Sequence, residues 1–183
     1  MRRTKTKGKK VKAKPLPIEV NEKEFNGVLK AVDEKNMHHR VAFLLAWASG
    51  LRISEVVNLK KEDFDFESTP KQIRINMGKN SKDRIVPMPK NLRQAHLEYI
   101  PLKCKQRALQ KAFISACEIS GLKNKKPKVH FHSLRHGHAT QSIRKGMDVT
   151  SLQGNLGHED LATTSLYINL VPKERLEQYD EKF

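Results

Sequence analysis

Long hydrophobic runs are missing from this sequence. No apolar stretch approaches the ~18 residues that a membrane span requires, and no apolar h-region follows the basic N-terminus as it would in a secretory signal. Residues 1–14, MRRTKTKGKKVKAK, hold almost nothing large and apolar, which excludes an amphipathic membrane anchor. Cysteine is scarce. Cys104 and Cys117 lie in stretches of helical character and are read as reduced packing residues of an intracellular protein, rather than a disulfide or a metal pair. Acidic residues are absent from 1–14, where Arg2, Arg3, Lys5, Lys7, Lys9, Lys10, Lys12 and Lys14 stand unopposed. Over the whole chain 36 Lys and Arg face 20 Asp and Glu, so the body stays basic without these eight. A folded body and an arm that are both positive point to a polyanionic partner, with nucleic acid the leading candidate, and the lack of a signal or membrane span suits a cytoplasmic protein.

At 183 residues, 37% of them hydrophobic, the chain is long enough for one domain with a real core. Residues 1–17, rich in Lys, Gly and Pro, read as a disordered basic arm, and 18–183 as a single domain. Asn21 with Glu24 forms a capping-box pattern, after which Phe25, Val28, Leu29 and Val32 recur at helical spacing. The stretch 40-RVAFLLAWASG-50 is apolar nearly all round and predicts a buried helix closed by Gly50. A short helix carrying Val56, Val57 and Leu59 follows Ser54. Then 72-QIRIN-76 and 84-RIVPM-88 read as strands joined by the turn formers 77-MGKNSKD-83. Further helices are expected at about 90–100, 105–120, 132–145, 148–155 and 160–168, with a tail helix at 173–180. The expectation is a mainly α fold with one small antiparallel sheet (α+β).

The stretch 130-HFHSLRHGHAT-140 has four histidines and one arginine. Zinc is the obvious ligand to consider, but the Glu of an HExxH motif is absent, no cysteine is near, and Arg135 would stand beside the cation. His136 and His138 are read as structural. His132 and Arg135, at i and i+3, point the same way: one titrates near neutrality, and the other is a permanent planar cation suited to phosphate. Residues of similar chemistry mark other places. Arg52 lies between Gly50 and the next helix, Lys79 in the hairpin turn, His158 at a helix boundary and Tyr167 on the following helix. Singly, each has a plain alternative: a salt bridge of Arg52 to Glu55, a solvated Lys79, a capping His158 and a core aromatic at Tyr167.

The ordered set SGLRISEV, GKNSKDRIVPMP, HSLRHGHAT and LGHEDLATTSLY resembles the catalytic domain of the tyrosine recombinase, or phage integrase, family, from about Glu24 to Tyr167. The resemblance implies that fold and a site made of Arg52, Lys79, His132, Arg135, His158 and Tyr167. It implies site-specific cleavage and rejoining of DNA through a 3′-phosphotyrosyl intermediate, with no cofactor, metal or ATP, by protomers that assemble as dimers and tetramers on DNA. Arg52 and Arg135 would hold the phosphate, Tyr167 attack it, Lys79 protonate the departing 5′-oxygen, and His132 and His158 divide the remaining proton transfers. A type IB topoisomerase-like nicking and closing activity, or a catalytically silent DNA-binding accessory protein, are the alternatives. Three departures from the family pattern stand out. Only the basic arm precedes the catalytic region, where the family usually has a helical core-binding domain; the span from the hairpin to His132 is short; and Asn155 replaces the usual hydrophobic residue before Leu-Gly-His. The tail helix, with Leu170, Val171, Leu176 and Tyr179 on one side, is expected either on a neighbouring protomer or folded back on its own domain. A short chain with a basic arm suits a virus or plasmid integrase.

Overall fold

The structure, a computed structural model, describes residues 17–76, 83–157 and Tyr167. Its elements run α1 (Glu22–Lys30), α2 (Met37–Ala48), α3 (Ile53–Asn58), β1 (Phe64–Asp65), β2 (Gln72–Ile75), β3 (Arg84–Pro87), α4 (Gln106–Ile119), α5 (Leu122–Lys125), α6 (His132–Arg144) and α7 (Val149–Leu156). The mainly α fold with a small antiparallel sheet is the architecture expected from the sequence.

Helix α1 starts on a complete capping box: Asn21 Oδ1 accepts from the Glu24 amide, and Glu24 Oε2 accepts from the Asn21 amide, each at 2.9 Å. Helix α2 is the centre of the core. Its residues Val41 to Ala46 are all buried, which an all-round apolar sequence requires. Phe43 of α2, Phe113 of α4 and Phe131 before α6 meet edge-to-face at 5.3, 6.0 and 5.7 Å, the arrangement that aromatic quadrupoles favour. Trp47 stacks on Phe25 at 4.5 Å, and its indole N–H donates to the Val20 carbonyl at 3.0 Å. Val20 in turn donates to Ser133 O, so the chain entering α1 is strapped across α6.

The sheet has the order β1-β2-β3, all antiparallel, with Ile73 opposite both Phe64 and Val86 and Ile75 opposite Arg84. The sequence suggests only a hairpin; the third strand, two residues long, is too short to show a period of its own. Alternation sends Ile73, Ile75 and Val86 into the core and leaves Ile85 exposed. Arg84 shares the inward side of β3 with Val86. The helix expected at 90–100 is a 3₁₀ stretch over Gln94–Tyr99, and α5 was not anticipated. Proline stands at both ends of the 90–100 segment, at 89 and 101, and the residue before a proline is driven out of the helical region. Both cysteines are free thiols; Cys117 is fully buried, and burial pushes its pKa up to about 12. A second, smaller core joins Ala139, Leu152, Leu156 and Tyr167 under α6 and α7.

No helix among the described residues is long and apolar enough to cross a membrane. Residues 1–16 of the expected arm 1–17, the turn holding Lys79, His158, the helix expected at 160–168 apart from Tyr167, and the expected tail helix at 173–180 lie outside the described residues.

Candidate active site

Helix α2 ends at Ser49, and the chain turns sharply at Gly50, whose φ is +67°. A side chain here would also collide with its surroundings, because a Cβ would lie 2.6 Å from His138 Cδ2 and 2.8 Å from Leu156 Cδ2. The turn aims the Gly50 carbonyl inward and places Arg52 immediately ahead of α3. Glu55, in the first turn of α3, accepts the Arg52 amide on Oε2 and Arg52 Nη1 on Oε1, both at 2.8 Å. The Arg52–Glu55 pair weighed as a plain alternative does form. It does not use up Arg52, whose Nη2 donates to Gly157 O at 2.9 Å while the side chain stays 31% exposed.

Helix α6 carries the histidine stretch. Arg135 is completely buried, which is costly for a cation unless its donors are matched. Nη1 donates to Gly50 O at 2.7 Å and Nη2 to Leu156 O at 2.6 Å, while Nε has no hydrogen-bond partner. Burial first, and then the charge of Arg52, pull the Arg135 pKa down to about 9, which still leaves it charged at pH 7. His132 is one turn N-terminal to His136, and the two rings meet edge-to-face at 4.7 Å. Desolvation first, and then the charges of Arg135, His130 and Arg52, lower the His132 pKa to about 4. A neutral imidazole is therefore the resting form, ready to accept a proton. His138 turns the other way, with Nδ1 bonded to Trp47 O at 3.1 Å, and is structural as expected.

The two arginines are joined by a third. Arg84 of β3 donates from Nε to Asn155 O at 2.8 Å, and from Nη1 and Nη2 to the Glu55 carboxylate at 3.0 and 2.9 Å. Burial alone would raise the Glu55 pKa, but the bonds from Arg84, and then from Arg52, outweigh it, so the group is lowered and stays ionised. Arg84, Arg135 and Arg52 thus take the carbonyls of Asn155, Leu156 and Gly157, three consecutive acceptors at the end of α7. Terminal helix carbonyls lack intrahelical partners and carry the negative end of the helix dipole, so cations belong there. Gly157, at φ +62°, closes the helix directly before His158.

Tyr167 is 2% exposed, and its hydroxyl lies 2.8 Å from His136 Nδ1, within hydrogen-bonding distance. Burial raises its pKa, and the charge of Arg135 opposes that rise. A phenol held this way would need a partner to take its proton before it could act as a nucleophile. Of the six residues expected from the sequence, the structure describes Arg52, His132, Arg135 and Tyr167, and it gathers them around the junction of α3, α6 and α7. Sequence reasoning overlooked Arg84, and it gave no sign that His136, read as structural, meets the Tyr167 hydroxyl. The signal for Arg84 was its inward place on a strand, where an arginine needs a buried anion. His136 had no signal in the sequence, because its partner is 31 residues away. One group of three potential metal ligands occurs among the described residues, His38, His39 and Cys104, with ligand atoms within 4.8 Å of one another. It lies at the start of α2 and ahead of α4, and includes none of the site residues.

Residues 19–174 match the profile of the Phage integrase family. A tyrosine recombinase of Thermosipho africanus is 34% identical over 173 residues, covering 88% of this chain and 60% of the relative. The tyrosine recombinase XerA of Thermococcus onnurineus is 33% identical over 182 residues, covering 92% and 64%. The chain therefore spans roughly 60% of the length of these curated relatives. Among solved structures, XerH site-specific recombinase bound to its palindromic difH substrate superposes with a TM-score of 0.72 at 26% identity, covering 92% of this chain and 54% of that one. The catalytic domain of bacteriophage HP1 integrase shares the fold at a TM-score of 0.63 and 21% identity, covering 91% of this chain and 95% of its own.

Proposed function

The chain belongs to the phage integrase family, and from that premise we propose that it is a site-specific DNA recombinase working through a 3′-phosphotyrosyl intermediate. The observation that carries the reading is the convergence of Arg52 and Arg135 on adjacent carbonyls of one helix end, with a buried tyrosine hydroxyl in the field of Arg135. Donors held 2.6–2.9 Å from carbonyl oxygens suit the nonbridging oxygens of a phosphodiester equally well. Preorganised cations of this kind stabilise the charge that builds up on the phosphate as the nucleophile attacks.

In the proposed step the Tyr167 oxygen bonds to phosphorus and the bond to the 5′-oxygen breaks. The phenolic proton passes to a histidine, His132 or His158, and the leaving oxygen takes a proton from Lys79. One phosphate ester replaces another, so no ATP is required, and the guanidiniums supply the positive charge that Mg²⁺ gives in metal-dependent nucleases. Double-stranded DNA is the partner, with Arg2, Arg3, Lys5, Lys7, Lys9, Lys10, Lys12 and Lys14 on its phosphates, and protomers pair into dimers and tetramers on it. The protein acts in the cytoplasm, associated with DNA.

The test is incubation with nicked suicide DNA carrying the recombination site, followed by a denaturing gel. The wild-type chain should give a covalent protein–DNA band, and Tyr167→Phe should bind the same DNA without forming one. A covalent band that survives in Tyr167→Phe would overturn the assignment of the nucleophile.

A further inference from the structure

Arg84 is not one of the phosphate ligands proposed above, and it is held more deeply than Arg52. Its side chain is only 9% exposed, against 31% for Arg52. Its donors face inward, on Glu55 and on the end of α7. Yet the Glu55 carboxylate is shared evenly between the two arginines. Oε1 accepts from Arg52 Nη1 and Arg84 Nη1, and Oε2 accepts from the Arg52 amide and Arg84 Nη2. Four donors on two oxygens leave the carboxylate one orientation.

From this arrangement, and resting on the proposed cleavage reaction, we infer that Arg84 is a positioning residue that aims and charges Arg52 through Glu55. Two physical consequences define the role. The first is geometric. Arg52, just ahead of α3, and Glu55, in its first turn, pair locally, and without Arg84 the pair would meet the end of α7 only through the flexible Arg52 side chain, by its bond to Gly157 O. Arg84 ties that pair to β3 and, through Asn155 O, to the end of α7, which is where Arg135 also holds on. Arg52 and Arg135 are thereby fixed relative to one another. The second consequence is electrostatic. A lone Glu55 would cancel the charge of Arg52, whereas two guanidiniums on one carboxylate leave a net positive charge for the phosphate. A planar fork is needed for both tasks, and lysine lacks one.

The experiment measures single-turnover cleavage of suicide DNA by the full chain, with Arg84→Lys placed in both the native and the Arg52→Ala backgrounds. In the native background Arg84→Lys should slow cleavage by roughly 10–100-fold, the scale of a misplacement near 1 Å, while DNA affinity changes less than about twofold. In the Arg52→Ala background the same substitution should add nothing, because the residue it positions is gone. Equal losses in both backgrounds would overturn the inference and make Arg84 a general structural support. Glu55→Gln supplies a second route should Arg84→Lys fold poorly. It should reproduce the loss in the native background and add little to Arg52→Ala, and full activity in Glu55→Gln would overturn the inference as well. A readout independent of cleavage is the arginine Nε–H spectrum of labelled protein, with Arg52 assigned by substitution. Its signal should broaden in Arg84→Lys while that of Arg135 stays in place, and an unmoved Arg52 signal would refute the positioning role. If the wild-type chain forms no covalent complex on any DNA, the functional reading fails by itself and this spectrum decides the role of Arg84.

Discussion

Replacing Gly50 by alanine tests whether the turn between α2 and α3 builds the site. Two costs arise at once. The residue holds φ at +67°, where an L side chain is strained by about 1–2 kcal/mol. The new Cβ would also lie 2.6 Å from His138 Cδ2 and 2.8 Å from Leu156 Cδ2, so both side chains must shift, and forced repacking of this sort costs about 1–3 kcal/mol. A gain of about 0.4–1 kcal/mol from a stiffer unfolded chain offsets part of this. The net loss is about 2–4 kcal/mol, which for a chain of this size lowers the melting temperature by about 5–15 °C. Activity should fall beyond what stability explains, since Arg135 holds the carbonyls of Gly50 and of Leu156, the two residues displaced in opposite directions. Thermal melts and suicide-substrate cleavage, measured at a temperature where the variant is folded, read the two effects separately. Gly27→Ala is the control. It lies within α1 with nothing inside 4 Å of its added Cβ, so the same change should stabilise by about 1 kcal/mol. If Gly50→Ala melted at or above the native temperature with normal cleavage, the turn would not be holding Arg135 and the reasoning would fail.

Other outcomes follow from the same contacts. The His138 pKa is lowered by burial from 6.5 to about 4. Its contribution to stability should therefore be complete above pH 6.5 and fade as the pH falls towards 4, because the unfolded chain takes up the proton first. His138→Asn, which keeps a donor for Trp47 O, should flatten that decline in a series of melts, and an unchanged slope would refute it. Lys79→Ala should slow cleavage by ~10²–10⁴-fold, the usual contribution of a positioned acid, and recover most of its rate when sulfur replaces the scissile 5′-oxygen, since a thiolate leaves without a proton. Arg52→Ala should gain no such rescue; equal rescue of both variants would remove Lys79 from its role. Deleting residues 2–14 should reduce the salt slope of DNA binding by ~3–4 units, at about 0.9 per phosphate, and an unaltered slope would show that the arm does not touch DNA.

The described α-helices other than α5 were legible because each carries its own local evidence. The Asn21 capping box, the apolar run of α2 and the glycines at 50, 121 and 146 mark starts and stops that need no tertiary information. Phe64–Asp65 was not legible, since two residues acquire strand character only from the partner strand beside them. The candidate site divides in the same way. Arg52, His132, Arg135 and Tyr167 stand out by type and order, whereas Arg84 shows its meaning only once the strand register turns it towards Glu55. The contact of His136 with Tyr167 was hidden for a related reason: helical periodicity groups His136 with its neighbours on α6 and says nothing of a hydroxyl arriving from another element. Asn155, a departure from the family pattern, turns out to contribute its backbone carbonyl to Arg84, while its side-chain amide donates to Met147 Sδ at 3.7 Å.

The hydrogen bonds that gather the arginines span long stretches of chain: 105 residues from Arg52 to Gly157, 85 from Arg135 to Gly50 and 71 from Arg84 to Asn155. Contacts of such separation close large loops and form late, after local helices have already appeared. A nascent or partly unfolded chain can hold α1, α2 and even the β2–β3 hairpin without holding a pair of guanidiniums in common register. Under the proposed reaction, competence to cut a DNA strand would arrive only with the complete tertiary fold. Folding intermediates and proteolytic fragments lacking α7 keep many of the basic residues but not the common register of the guanidiniums, so under the proposed reaction the topology itself would keep an incomplete molecule from nicking DNA.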